Sequence, residues 1–231
     1  MVDIGSFHKN PEDYQRLVDE LYKDYPNITL PPEYAYFFEK DLLRLLIRLA
    51  RYKFIARLVK ETDHVLEIGS GSGVGSIFLG QHCAHVTGLD VKSTEVEEAR
   101  LINRRGNVEF KTGDFFQLES IKQYDVVLGM DVIEHMTVEQ GHKLLEAMTR
   151  HIKPNGMAVI GTPSIYSFEY QSPLSKASHV KCYDQEELLD LVGNYFSRAL
   201  AFSMNDEVTH TGHPKMAWYY FVLAFYPKSS L

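Results

Sequence analysis

From position 64 onward, short apolar runs alternate with segments of helical period. That alternation is the signature of strand–helix–strand units that build a parallel sheet. Apolar runs at 64–68, 85–89, 108–111, 125–130 and 157–161 predict five strands. Between and after them, patterns of period 3.6 predict helices over 74–82, 94–103, 138–152 and 185–195. The last two runs, 198–203 and 217–226, follow one another with no helical stretch between, so they read as an antiparallel hairpin closing the sheet. The expected fold is therefore doubly wound α/β, a mostly parallel seven-stranded sheet with an antiparallel C-terminal hairpin.

Before the sheet the pattern is helical. One helix is predicted over 11–25, then a proline-rich break over 26–32, then one long helical segment over 33–60. Leu42, Leu43, Leu45, Leu46, Ile47 and Leu49 give that segment a broad apolar face, for which the following domain is the natural partner. Its basic residues, Arg44, Arg48, Arg51, Lys53 and Arg57, read as a solvated face. The expected organisation is an N-terminal helical cap, 1–60, and a sheet domain, 61–231. A length of 231 residues with 45% hydrophobic content suits that arrangement. The formal charge of −7 argues against an extended nucleic-acid footprint, which needs clustered cations to replace phosphate counterions. No run approaches the roughly 18 apolar residues of a membrane span. The opening Met1-Val2-Asp3-Ile4-Gly5 lacks the order of a signal peptide, and Cys83 and Cys182 are too few for a disulfide framework. A cytoplasmic protein without a membrane partner is expected.

The densest chemical signal is Val65-Leu66-Glu67-Ile68-Gly69-Ser70-Gly71-Ser72-Gly73-Val74-Gly75. An acid ends a strand, and glycines at alternate positions let the chain turn sharply and let a ligand approach the backbone. A second acid, Asp90, closes the next strand, where a carboxylate can accept both hydroxyls of a ribose. A dinucleotide-binding dehydrogenase shares those two features, but the G-x-G-x-x-G spacing from Gly69 fails at Val74. A third acid, Asp114 in Thr112-Gly113-Asp114-Phe115-Phe116, follows the third strand, placed to accept from an adenine amino group.

Over residues 61–227 this ordered set resembles the class I S-adenosylmethionine methyltransferases. The matching pieces are E-x-G-x-G-x-G from Glu67, Gly88-Leu89-Asp90, Gly113-Asp114, Tyr124-Asp125-Val126-Val127 and Ile152-Lys153-Pro154-Asn155-Gly156. The resemblance implies S-adenosylmethionine as cofactor, with Asp90 on the ribose, Gly69 and Gly71 along the methionine portion and Asp114 on adenine. Glu67, Ser70, Gly73, Val91, Phe115 and Met130 complete the expected cofactor contacts.

The acceptor side is expected just beyond the fourth strand, in Asp131-Val132-Ile133-Glu134-His135. If a helical turn starts there, Asp131, Glu134 and His135 share one face. One reading makes Asp131 and Glu134 a capping box. Another makes His135 the general base, and a third has the residues help to hold a divalent metal. With Thr162-Pro163-Ser164 and His179-x-x-x-Tyr183, the turn resembles the ubiquinone-biosynthesis O-methyltransferases and the small-RNA 3′-terminal 2′-O-methyltransferases. Those families usually carry Glu where Asp131 stands. The resemblance implies Glu134, His135 and His179 in metal binding, and Asp131 and, from the hairpin loop, His210 are further candidate metal ligands; His135 and His179, which follow the fourth and fifth strands, are expected to be catalytic. The turn over 204–216 adds Asn205, Asp206, Glu207, His210 and His213, so four of ten histidines would meet over one sheet edge. Tyr166, Phe168, Tyr170 and Tyr183 would wall an organic acceptor. The reaction expected is methyl transfer to a hydroxyl of a small-molecule acceptor. The alternatives are an RNA-end 2′-O-methyltransferase with a metal site and a non-catalytic cofactor-binding protein.

Overall fold

The computed structural model describes residues 11–24, 27–119 and 122–228. The expected features at 1–5, Tyr25 and Pro26 lie outside the described residues. The chain divides between Leu30 and Pro31 into two compact units. The first holds α1 (Pro11–Asp24), where Tyr14, Leu17, Val18 and Leu21 recur at helical spacing. Arg16 Nη1 pairs with Glu20 Oε1 one turn away, at 2.9 Å.

The second unit begins with α2 (Pro32–Lys40) and α3 (Leu42–Ala56), not the single helix expected over 33–60. Asp41 leaves helical geometry (φ −155°, ψ 64°) and its carboxylate accepts from the Arg44 amide at 3.1 Å. It therefore starts a new helix as its N-cap, which an interior aspartate with poor helix propensity does readily. The leucine-rich face also behaves otherwise than expected. Ala50 and Ile55 are buried, whereas Leu42, Leu43 and Leu46 stay exposed. Only the second half of α3 lies on the sheet.

An eight-stranded sheet follows, ordered β3-β2-β1-β4-β5-β8-β6-β7. Its strands are β1 (His64–Ile68), β2 (His85–Asp90), β3 (Val108–Thr112), β4 (Tyr124–Met130), β5 (Ile152–Pro163), β6 (Phe196–Asn205), β7 (Val208–His210) and β8 (Tyr219–Pro227). The first five pair in parallel, and β8 inserts antiparallel between β5 and β6. The expected hairpin is present, with a short extra strand, β7, on its edge. The helices between strands are α4 (Val74–Leu79), α5 (Ser93–Ile102), α6 (Val138–His151), α7 (Pro173–Ser178) and α8 (Gln185–Gly193).

Helices on both faces explain the continuous apolar runs of the central strands, because successive side chains point to opposite sides. Leu66, Val127 and Ala158 face α6 and α8 with Leu144, Met148, Leu188 and Val192. Val65, Val126, Leu128 and Val159 face the other way, onto Ile55, Leu79, Val96 and Ala99 of α3 to α5. The strand order reverses direction at β1, since β2 and β3 lie to one side of it and β4 and β5 to the other. In open α/β sheets the chains leaving the carboxyl ends at such a switch point part from one another and leave a crevice. Here those chains are residues 69–73 and 131–135.

Candidate functional site

A cleft of about 1570 Å³ opens at that switch point, lined from one side by Gly69, Ser70, Gly71, Asp90 and Asp114 and from the other by Asp131, Glu134, His135 and His179. A pocket for one drug-sized ligand occupies roughly 300–1,000 Å³, so this space suits two molecules side by side.

The glycine turn is shaped for close approach. Gly69, Gly71 and Gly73 all have positive φ (68°, 53° and 83°), and a Cβ on Gly69 would lie 2.6 Å from Val132 Cγ2. Asp90 is fixed by two backbone donors, the Gly71 amide on Oδ2 and the Lys92 amide on Oδ1, both at 2.9 Å. Each oxygen keeps a lone pair for a ligand hydroxyl. Asp114 caps the 3₁₀ turn Phe115–Gln117 by accepting from the Phe116 amide at 2.9 Å. Val91, Phe115 and Met130 line the same end of the cleft, where the hydroxyls of Ser70 and Ser72 are buried with no partner among the described residues. These unpaired hydroxyls and the Cβ-free turn fit a polar ligand.

Glu67 does not line the cleft. It is fully buried, Tyr52 donates to its Oε1 at 2.6 Å, and the Ser76 hydroxyl donates to Oε2. Burial pushes its carboxyl up to about 7, against the pull of those two hydrogen bonds. Its place among cofactor contacts is thus a correction: the side chain points away from the turn and fastens α3 to β1. Gly75 belongs to the same joint, because a Cβ there would overlap the Tyr52 ring.

Across the cleft, residues 131–135 form neither a helix start nor a capping box. Asp131 takes positive φ (56°), the 3₁₀ turn Ile133–His135 has no side-chain cap, and the capping box that does exist joins Thr137 to Gln140 at the start of α6. Asp131 is instead paired with Arg51 (2.6 Å), whose guanidinium lies 3.9 Å above the Tyr219 ring. Glu134 is fully buried: Thr162 donates to Oε2 at 3.0 Å, and Oε1 has no partner among the described residues. Burial, and then the charge of Asp131, push its carboxyl well above the usual range. The Glu134 carbonyl accepts from the amides of Val180 and Lys181, which draws the chain beyond α7 over the turn.

His135 Nδ1 lies 3.0 Å from the Ser178 carbonyl oxygen. A carbonyl only accepts, so Nδ1 carries the proton and Nε2 is the basic nitrogen. The His179 ring stands edge-on at 5.1 Å, and its Nδ1 is buried without a partner among the described residues. Burial, and then His135, lower its pKa. Glu134, His135 and His179 each offer a ligand atom within 4.8 Å of the others. Asp131 and His210 are not in that group. His210 sits on β7 with Nε2 3.0 Å from Asn205 Oδ1, and His213, with φ 50°, begins a separate 3₁₀ turn. Two of the four histidines expected at this edge therefore meet. Of the aromatic residues expected as a wall, Tyr170 lines the cleft, stacked on Trp218 at 5.8 Å, while Tyr183 is buried. The sequence pattern gave no sign of Arg51, Tyr52 or Tyr219, whose partners are 80, 15 and 168 residues away in the chain.

Residues 65–156 match the family described as a methyltransferase domain. The matched stretch holds the Gly69–Gly73 turn, Asp90, Asp114 and the 131–135 turn. Over 100 residues the chain is 35% identical to the ubiquinone biosynthesis O-methyltransferase of Rickettsia akari (strain Hartford), a stretch covering 42% of this chain and 39% of the relative. The chain thus spans about two fifths of the length of the curated relative it matches. The chain shares its fold with a methyltransferase of Thermotoga maritima (TM-score 0.65, 17% identity, covering 93% of this chain and 99% of the other). It also shares it with phosphoethanolamine N-methyltransferase 2 of Haemonchus contortus in complex with S-adenosyl-L-methionine (TM-score 0.56, 16% identity, covering 74% and 50%). Among the described residues no helix is long and apolar enough to cross a membrane.

Proposed function

We propose that this protein transfers the methyl group of S-adenosylmethionine to a hydroxyl of a small-molecule acceptor. The observation that carries the reading is one cleft holding both the Gly69–Asp90 cradle and the His135 turn. On this reading the backbone of residues 69–71 receives the methionine portion, Asp90 the ribose hydroxyls and Asp114 the adenine edge. When bound, the cofactor supplies an electrophilic methyl group on a sulfonium.

The remaining work falls to the protein. It orients the acceptor, excludes water and removes the acceptor proton. An acceptor oxygen would take that methyl group and leave the cofactor as a neutral thioether, which keeps the bonding pair on sulfur. The acceptor proton passes to His135 Nε2, the ring nitrogen left as the acceptor when Nδ1 donates to the Ser178 carbonyl. Burial, and then His135, lower the pKa of His179, which disfavours a second positive charge beside His135.

A second reading is favoured by the unpartnered Glu134 Oε1 and His179 Nδ1. A carboxylate and two imidazoles suit a divalent transition ion, so Glu134, His135 and His179 would hold one, with Asp131 withdrawn by Arg51. Such an ion would acidify a hydroxyl placed against it.

Titration calorimetry of S-adenosylhomocysteine tests the cofactor assignment. Asp90→Ala is expected to weaken binding by about tenfold or more, since hydrogen bonds to a charged group contribute roughly 1.5–3 kcal/mol. Unchanged affinity would remove Asp90 from the ribose.

A further inference from the structure

Three of the basic positions expected on a solvated face border the cleft instead, while Lys53 stays exposed. Arg44, Arg48 and Arg51, at i, i+4 and i+7, share one side of the helix, and all three line the cleft. We infer that the methyl acceptor carries an oxyanion, a carboxylate or a phosphate, which these three guanidinium groups receive. The inference rests on the methyltransferase reading and names the acceptor class for that same cleft.

The arginines are held ready. Arg44 and Arg48 lie 5.9 and 5.3 Å from the Phe37 ring, and Arg51 lies 3.9 Å from that of Tyr219. Stacking on aromatic faces fixes a guanidinium without consuming its in-plane donors. Each has one carboxylate partner: Asp41 at 3.1 Å, Glu33 at 2.6 Å and Asp131 at 2.6 Å. A guanidinium carries five N–H donors in a planar fork, so a single carboxylate leaves donors over. Arg51 shows this directly, because its Nε is buried with no acceptor among the described residues. A buried unpaired donor is costly, and a ligand oxygen is what would complete it.

Glu33, Asp41 and Asp131 offset the charge of the three arginines, so what draws an oxyanion here is the spare guanidinium donors and not a net positive charge. Lys92, the other basic residue among those lining the cleft, stands beside Asp90 at the cofactor end. The rest of the α3 side is apolar, with Leu43 and Ile47, and the opposite rim carries Tyr170 and Trp218. An acceptor with an oxyanion at one end and an apolar or aromatic body would fill both parts. A neutral acceptor would leave the spare guanidinium donors unpaired beside it.

Benzoate, phenyl phosphate and benzyl alcohol, titrated into the full chain loaded with S-adenosylhomocysteine, test the inference. One or both of the anions should bind at least about tenfold tighter than benzyl alcohol, as charge-assisted bidentate bonds to arginine require. The stronger anion then tells a carboxylate acceptor from a phosphate one. Arg48→Gln, and separately the more exposed Arg44→Gln, should weaken the anion by about fivefold or more while leaving benzyl alcohol and S-adenosylhomocysteine unchanged. Equal binding of all three probes, no binding of either anion, or anion affinity indifferent to both substitutions would overturn the inference. Failure of S-adenosylhomocysteine to bind would instead sink the methyltransferase reading, and the three probes titrated into the unloaded chain would still report on the arginine wall.

Discussion

Two buried glutamates in this protein answer to different tasks. Glu67 closes the joint between α3 and β1, and burial raises its carboxyl to about 7 from the ordinary value near 4.5. The native state therefore holds a proton between about pH 4.5 and 7 that the unfolded chain releases. The contribution of this group to stability is fullest below that window and is lost as pH rises through it. Glu67→Gln keeps the shape and stays neutral, so the stability of the variant relative to the parent should climb from pH 5 to pH 8 by on the order of 3 kcal/mol. Urea unfolding at several pH values measures this, and a constant offset would mean that Glu67 is ionised throughout. Glu134 precedes His135, the base of the proposed reaction, and there the informative change is at that neighbour. His135→Gln should lower turnover by roughly 10²–10⁴-fold while leaving S-adenosylhomocysteine affinity nearly intact, as loss of a general base does. If Glu134, His135 and His179 hold a metal, a chelator should abolish turnover and a divalent ion restore it. Full activity in chelator with a mild His135→Gln effect would leave orientation as the main catalytic device.

The elements differ in how plainly the sequence announces them. Strands β1 to β5 are legible because both faces of each are buried, which forces the apolar runs whatever the neighbours are. The Gly69–Gly73 turn is legible because its conformation is nearly exclusive to glycine. The break at Asp41 is not, because its capping bond competes with helix propagation by only about 1 kcal/mol and no proline marks it. The 131–135 turn misleads for a similar reason: D-x-x-E fits a capping box locally, but the pairing of Asp131 with Arg51, 80 residues away, decides its conformation. Helix α3 shows the same limit, since helical period marks an apolar face without saying which half of it is covered. Ile55, with no exposed surface, should cost about 2–5 kcal/mol on change to alanine, whereas Leu46, 55% exposed, should cost less than about 0.5 kcal/mol. Chemical denaturation of the two variants compares them. Similar losses would mean that Leu46 is covered in solution.

At the scale of the whole molecule, the strand order places the chemistry more firmly than any single motif does. Reversal at β1 sets the carboxyl ends of β1 and β4 side by side, so residues far apart in sequence meet over one crevice. Helices α2 and α3 complete that crevice from the amino-terminal side through Tyr34, Phe37 and Arg48. Among the described residues, those lining it all lie within the unit formed by residues 31–231. That unit also contains both sheet faces and the helices that bury them. A chain beginning at Pro31 should therefore fold and bind S-adenosylhomocysteine within about twofold of the full protein. Ligand present at about 100 times its Kd should stabilise both chains by the same roughly 2.7 kcal/mol, because that increment depends only on the ligand-to-Kd ratio. Calorimetric titration together with melting in the presence and absence of ligand makes the comparison. A loss of tenfold or more in affinity, with the truncated chain still folded, would mean that the first thirty residues take part in holding the cofactor. Retained cofactor affinity with reduced methyl transfer would assign them instead to the acceptor.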